Sequence, residues 1–302
     1  MPTSHNDPTL FDWGSKTYVM GILNITPDSF SGDGVLGFNS MLSASELMDK
    51  IREQARSFIE NGADILDVGG ESTRPGSKLV SQAEELDRVL PAIEMLASEF
   101  PSTVVSVDTY KAEVARQALD AGAHIVNDVW ALRGDKDMAT VVGQKKAWVI
   151  LMHNRSKPEN TQVALNLGGR YVGMDYQDLI KEITSDLQEC VGLAVSAGIP
   201  HDKIILDPGI GFGKTVEQNL EIVNRFHEFK KLGYPLLLAP SRKSFIGYTL
   251  NLPPADRLEG TAAAIAIGIA RGANMIRVHD VKQMSRVAKM SDAILRAGKD
   301  PE

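Results

Sequence analysis

A single cysteine, Cys190, in 302 residues rules out an intramolecular disulfide and any metal site built on several thiolates. No apolar run reaches the roughly 20 residues that a membrane-spanning helix needs, the longest being Ala262 to Ala270. Met1 to Leu10 is polar, with Pro2 and Pro8, and has no apolar core of the kind that marks a secretory signal. No basic tract offsets the formal net charge of -7, so nucleic acid is not expected as a main partner, and any anion must be bound locally. These absences fit the reduced cytoplasm and a protein without a membrane element. With 43% hydrophobic and 24% charged residues, the chain has the composition of an ordinary globular protein able to bury a large core.

Past a loose leader to about Ser15, the chain alternates apolar runs with helical patterns. The runs are Tyr18 to Asn24, Asp64 to Val68, Thr103 to Val107, His124 to Val126, Trp148 to Met152, Lys203 to Leu206, Pro235 to Ala239 and Met275 to Val278. Helices are expected over Ser43 to Glu60, with Ser43 and Glu46 in capping-box positions, and over about Ser81 to Ser98 and Lys111 to Asp120. Further helices are expected near Asp135 to Gln144 and over Asp175 to Ala197, Val216 to Lys231, Gly260 to Ala270 and Ser285 to Ala297. Near-continuous apolar strands alternating with helices imply a parallel sheet covered on its outer face. Eight such units in this length suit a single-domain α/β TIM (β/α)8 barrel over residues 16–302, with a doubly wound open sheet as the fallback.

Asn24, Thr73, Arg74, Asp108, Asn127, Asp207, Lys243, Arg277 and His279 all fall at or just past strand C-termini, the barrel face where active sites form. One such residue alone is commonly a turn or cap residue, but their joint placement points to a site. The stretch Ile204 to Thr215 breaks from a strand into Asp207, Pro208 and three glycines. It is not a P-loop, because Pro208 stands where the first glycine of that pattern belongs, and its G-x-G-x-G spacing does not match the dinucleotide fingerprint. What it offers is a carboxylate at a strand end, followed by backbone free to bend toward a ligand. Lys214 is expected in solvent at a helix start. His124, His153, His201 and His227 receive no role.

Neither a nucleophile elbow nor an H-E-x-x-H motif is present, which disfavours the usual hydrolases. Asp108, Asn127 and Asp207 suit a flat amino-oxo heterocycle, since a carboxylate takes two adjacent N–H donors side by side. Arg74, Arg277 and His279 with Asn24 suit an anion and a cation such as Mg²⁺, which draws most of its oxygen ligands from water and phosphate. A heterocycle carrying a pyrophosphate would use both halves.

Gly21 to Ser31, Asp67 to Gly76, Leu206 to Lys214 and Ser241 to Gly247 resemble the signatures of the dihydropteroate synthase family, and Arg277-Val278-His279-Asp280-Val281 is similar to its last strand. The likeness runs from Tyr18 to the C-terminus. It implies a TIM barrel, a homodimer, and Mg²⁺-dependent joining of 7,8-dihydropterin-6-methyl pyrophosphate to p-aminobenzoate, the reaction that sulfonamides target. By the same likeness Asp108, Asn127, Met152, Asp207, Phe212 and Lys243 would hold the pterin. Asn24, Arg277 and His279 would hold pyrophosphate, with Asn24 on the metal. Phe30, Thr73, Arg74, Pro75, Phe212, Lys243 and Ser244 would enclose p-aminobenzoate, and Asp108, Lys243, Arg277 and His279 would carry catalysis. The stretch Phe30-Ser31-Gly32-Asp33-Gly34, the bulky Val129 to Asp135 and Ala239-Pro240 depart from the family's commonest pattern. A pterin-dependent methyltransferase with a corrinoid partner would share the barrel, but Ser72-Thr73-Arg74-Pro75-Gly76 and Ser241-Arg242-Lys243-Ser244 argue against it. A silent pterin-binding paralogue would not need the anion corner.

Overall fold

The computed structural model describes residues 10–25, 43–72, 79–156, 161–164 and 167–297. Eight parallel strands form the barrel: β1 (Tyr18–Asn24), β2 (Ile65–Gly69), β3 (Val104–Asp108), β4 (Ile125–Asp128), β5 (Trp148–Met152), β8 (Ile204–Asp207), β9 (Leu237–Leu238) and β10 (Met275–Val278). They pair in the order β8-β5-β4-β3-β2-β1-β10-β9. The circle closes through one parallel bridge, Leu206 with Leu236, where the Leu206 N–H donates to Pro235 O at 2.9 Å. Outside it run α1 (Ala44–Glu60), α2 (Gln82–Glu99), α3 (Ala112–Asp120), α4 (Met138–Lys145) and α5 (Leu179–Ser196), then α6 (Val216–Asn224), α7 (Ser244–Leu250), α8 (Leu258–Ala270) and α9 (Val281–Arg296). No helix among the described residues is long and apolar enough to cross a membrane.

Most elements lie where the periodicity predicts, and Ser43 and Glu46 do form the capping box that starts α1. Four differences have physical causes. The hairpin β6 (Thr161–Ala164) and β7 (Gly168–Tyr171) was not expected, because a strand reading Gly-Gly-Arg-Tyr has neither alternation nor β-branched residues. The expected helix to Lys231 stops at Asn224 and continues as a 3-10 turn, Phe226–Leu232. A three-residue turn aligns i with i+3, so Phe226 and Phe229 both point inward and are fully buried. The seven residues directly after Lys243 form α7, a helix too short for an apolar period to mark it in the sequence. The leader is not loose to Ser15: Phe11 is buried, stacked on Trp13 at 4.7 Å and edge-on to Tyr18 and Trp148 at 4.9 and 5.0 Å. Residues 1–9 lie outside the described residues.

The barrel has two interiors, set by the two-residue period of its strands. Tyr18, Met20, Ile65, Ile125, Trp148, Ile150, Ile205, Leu237 and Met275 share one apolar cluster with Phe11, which fills the lower barrel. Alternate residues such as Val19, Leu66, Val105 and Val126 face the helices. Two positions further along the inward parity the side chains turn polar: Asp67, Ser106, Asp108, Asn127, Asp207 and Arg277. The register brings them level, with Asp67 beside Ser106, Asp108 beside Asn127 and Met152 beside Asp207.

If Phe11 seals the lower barrel, Phe11→Ala should cost about 3 kcal/mol in urea unfolding, the scale of a lost buried aromatic side chain. An unchanged midpoint would mean that the strands close this end without it.

Candidate active site

The upper barrel is organised by one guanidinium. Arg277 Nε donates to Asp67 Oδ2 at 2.5 Å and Nη2 to Asp108 Oδ2 at 2.6 Å. Asp67 Oδ2 also accepts from Asn127 Nδ2 at 3.1 Å, while its Oδ1 is buried with no hydrogen-bond partner in the structure. Two carboxylates thus share one cation. Burial pushes the Asp108 carboxyl from its ordinary 3.8 to about 7, the Arg277 charge opposing and the Asp67 charge adding. At neutral pH that carboxyl is poised to accept a proton or to donate one.

On the other side of the barrel, Asp207 is buried and its Oδ1 accepts from the Gly209 N–H at 2.7 Å. Burial raises its pKa, against the nearby Lys243 charge. Burial also lowers the Lys243 ammonium to about 8, with Asp207 opposing. Lys243 Nζ donates to Ile210 O and lies 4.8 Å from the Phe212 ring centroid. Its placement follows from Arg242, whose φ of 56° is a strained value for a residue with a side chain. Arg242 is fixed by paired bonds to Asp280 at 2.9 and 2.6 Å. Ser241 Oγ accepts from the His279 N–H at 3.1 Å and lies 3.0 Å from His279 Nδ1. The hydroxyl thus fixes both the backbone and the ring of His279 at the end of β10.

A cavity of about 410 Å³ opens over these groups, with Asn24, Asp108, Phe212, Lys243, Ser244, Arg277 and His279 on its wall. Asn127, Met152 and Asp207 are not on that wall. They are 5%, 3% and 3% exposed and form the packed layer beneath it. Phe30, Thr73, Arg74 and Pro75 lie outside the described residues.

Several wall residues were not anticipated. The hairpin contributes Leu167, Gly168 and Tyr171, and is tied down where buried Arg257 donates to Leu167 O at 2.8 Å and to Arg242 O at 2.9 Å. Glu71 is on the wall and pairs with Lys111 at 2.6 Å, and Lys111 also pairs with Glu85. Asp67 had a signal in the sequence, a charge at an inward position of a buried strand. The hairpin had none. Lys214 corrects an expectation, since it is 2% exposed rather than in solvent. The bulky Val129 to Arg133 stretch is a turn in which Ala131 and Leu132 take φ of 51° and 67°. Asp128 holds it by accepting from Trp130 N and Leu132 N at 2.8 and 2.7 Å.

Comparison with known proteins matches residues 20–279 to the family described as pterin binding enzyme. The dihydropteroate synthase of Clostridium beijerinckii is 49% identical over 95% of this chain and 97% of its own. That of Bacillus subtilis is 47% identical over 97% and 94%. The crystal structure of the Clostridium difficile dihydropteroate synthase in the presence of pteroic acid superposes with a TM-score of 0.83 at 46% identity, covering 95% of this chain and 99% of that one.

Arg277→Met leaves two buried carboxylates without their cation and should cost about 3–5 kcal/mol at pH 8. An acid whose folded pKa lies above its unfolded one contributes stability that is full below the unfolded value and lost as pH rises through the folded one, for Asp108 from 3.8 to about 7. Removing the guanidinium raises the folded value further. The deficit measured in urea should therefore shrink as pH falls from 8 to 5, and a constant deficit would show that the arginine does not act through these carboxylates.

Proposed function

The chain belongs to the dihydropteroate synthase family of pterin binding enzymes, and on that premise we infer that the two levels of the barrel mouth correspond to the two ends of one substrate. The protein is a transferase that condenses 7,8-dihydropterin-6-methyl pyrophosphate with p-aminobenzoate to give 7,8-dihydropteroate and pyrophosphate in folate biosynthesis. What supports the assignment of its parts is the polarity of the mouth: Asp108, Arg277, His279 and Lys243 share the wall of one cavity, and Asp207 and Asn127 are buried behind it.

In this reading Asp207 and Asn127 take the amino-oxo edge of the pterin, with Asp108 and Lys243 on its other ring and Phe212 and Met152 against its faces. With Oδ1 committed to Gly209, Asp207 offers Oδ2 to the ring edge. Asp108, near neutrality, accepts from a ring N–H or donates to a ring nitrogen. Arg277 and His279 face the pyrophosphate. Phe212, Lys243 and Ser244, with Phe30, Thr73, Arg74 and Pro75, enclose p-aminobenzoate.

The residues present fit Mg²⁺. A Cβ added at Gly69 would stand 3.5 Å from Asn24 Oδ1 and 3.8 Å from Asp108 Oδ2, so glycine leaves room beside two hard oxygen donors. Among the described residues no group of three or more His, Cys, Asp or Glu forms a cage, and Mg²⁺ held by Asn24 would take its remaining oxygens from water and phosphate. Bound there, it would offset negative charge on the pyrophosphate.

The amine of p-aminobenzoate is neutral near pH 7 and needs no strong base, so the barrier lies in breaking the carbon–oxygen bond. Arg277 and His279 stabilise the departing pyrophosphate, and the floor carboxylates stabilise positive charge on the electron-rich pterin methylene. This favours a dissociative, SN1-like order. The carbon–oxygen bond breaks with its electron pair going to pyrophosphate, the amine nitrogen then bonds to the methylene, and its surplus proton leaves to solvent or pyrophosphate.

Folded protein given the pterin pyrophosphate, p-aminobenzoate and Mg²⁺ should form dihydropteroate and pyrophosphate in equal amounts, and failure to form both would overturn the reading. A homodimer is part of the same proposal. Ile267 on α8 with Met290 and Ile294 on the adjoining α9 are 49%, 62% and 61% exposed, an apolar face suited to a second copy. Sedimentation should give twice the chain mass and Met290→Glu should lower it; a wild-type monomer at micromolar concentration would remove this part.

A further inference from the structure

Lys214 and His153 are buried, polar and unused by the mechanism above. Lys214 closes the glycine stretch Pro208 to Gly213 that follows the β8 strand end, yet its side chain turns back into the protein. Its Nζ lies 2.9 Å from Gly209 O, 3.0 Å from Phe212 O and 3.1 Å from His153 Nδ1. A lysine ammonium has three protons, and these three acceptors are the near ones, with His153 O a longer contact at 3.5 Å. The acceptor state of Nδ1 is set from the far side of the ring, because His153 Nε2 lies 3.0 Å from Asp186 Oδ2 on α5. Nε2 carries the ring proton to that carboxylate and Nδ1 presents its lone pair to the ammonium. Asp186 is itself held by Arg155, through Nε at 2.6 Å and Nη2 at 2.8 Å, and Arg155 Nη1 reaches Glu182 at 2.8 Å. A continuous polar chain therefore runs from α5 through the end of β5 to the glycine loop.

The loop is shaped for this contact. Gly209, Gly211 and Gly213 take φ of 74°, 83° and 63°, the left-handed values that let carbonyls of a short loop turn to one point. A Cβ at Gly209 would come within 1.9 Å of His153 O, and one at Gly213 within 2.8 Å of Ser156 N. The loop is pressed against residues 153–156, with no space for side chains between. From the opposite side, buried Asn219 accepts from the Gly211 N–H at 2.6 Å and donates to Thr215 O at 2.6 Å.

We propose that Lys214 is a positioning residue for pterin binding: by drawing the Gly209 and Phe212 carbonyls onto one ammonium anchored on His153 and Asp186, it sets where Asp207 and the Phe212 ring meet the heterocycle. This rests on the reading of Asp207 and Phe212 as pterin contacts. The charge on Lys214 is what holds the arrangement, since a neutral amine has two protons for three acceptors. Burial lowers its pKa to about 7, with Asp207 and Asp186 opposing and Lys243 and Arg155 adding. His153, lowered to about 3 by burial and by the Lys214 charge, stays neutral and serves as acceptor. The loop is therefore tightest on the acid side of neutrality and loosens as pH rises.

The test compares calorimetric affinity for 7,8-dihydropterin-6-methyl pyrophosphate with urea unfolding in the wild type, Lys214→Met and Asp186→Asn. In Lys214→Met, pterin affinity should fall about 10- to 100-fold in protein that still unfolds in one cooperative transition, and Asp186→Asn should show a loss of about 3- to 10-fold. A role confined to stability would shift the unfolding midpoint and leave the affinity of the folded protein unchanged, which overturns the proposal. If Lys214→Met does not fold, wild-type affinity in Asp186→Asn overturns it equally. Wild-type protein that fails to bind the pterin would instead remove the reading on which the proposal stands.

Discussion

Burial of charge inside a parallel barrel is the constraint on which the upper half of this molecule depends. The inward positions on its strands are largely cut off from water, and there an isolated carboxylate is expensive. Asp67 and Asp108 are both there, and both are bonded to Arg277. The pair of acids is tolerable because one guanidinium reaches both, and the guanidinium is held at the cavity wall because two acids bind it. Residues separated in sequence by 210 and 169 positions are brought together by strand register alone, since β10, β1, β2 and β3 are consecutive neighbours in the sheet. The unpartnered Asp67 Oδ1 shows that the protein has not satisfied this network internally.

The same strands do opposite tasks at their two ends. Below, Phe11, Tyr18, Trp148 and their aliphatic neighbours fill the barrel with aromatic and branched side chains, which is what excludes water and makes a rigid frame. Above, polar side chains replace them, and the frame fixes their spacing without helping to satisfy them. Substitutions below should act on stability, and those above chiefly on ligand binding, except at Arg277, where the two coincide.

The barrel was legible in the sequence because parallel strands buried on both faces read as apolar runs, and because the helix patterns between them are long. The strand-end residues were legible for the same reason: once Asp108, Asn127, Asp207 and Arg277 are known to terminate strands, the barrel fixes that they share a space. What escaped reading has a different physical origin. The hairpin β6 and β7 is ordered by contacts at a distance, with Arg257 donating to Leu167 O and Arg170 lying over the Tyr248 ring at 4.4 Å, and no local pattern encodes these. Phe11 packs against Trp148, far along the chain. A lysine at a helix start is commonly exposed, and only the three-dimensional convergence of two loop carbonyls and a histidine makes the burial of Lys214 possible.

The glycine stretch shows how a local signal can be real and still be misattributed. Glycines before a lysine suggest a phosphate cradle, in which backbone N–H groups point outward to an anion and the lysine reaches the same anion. Here the geometry is inverted. Gly209 N–H and Gly211 N–H are taken by Asp207 and Asn219, and the lysine binds carbonyls rather than an anion. The positive φ values serve close approach to the backbone of residues 153–156, and the cation neutralises the carbonyl dipoles that this folding-back gathers. With its donors turned inward, the loop has little to offer a phosphate, and what it brings to the cavity wall is the Phe212 ring. On the reading proposed for the site, the anion-facing role passes to Arg277 and His279, side chains of the last strand and its end, and the glycine loop is left to shape the heterocycle side.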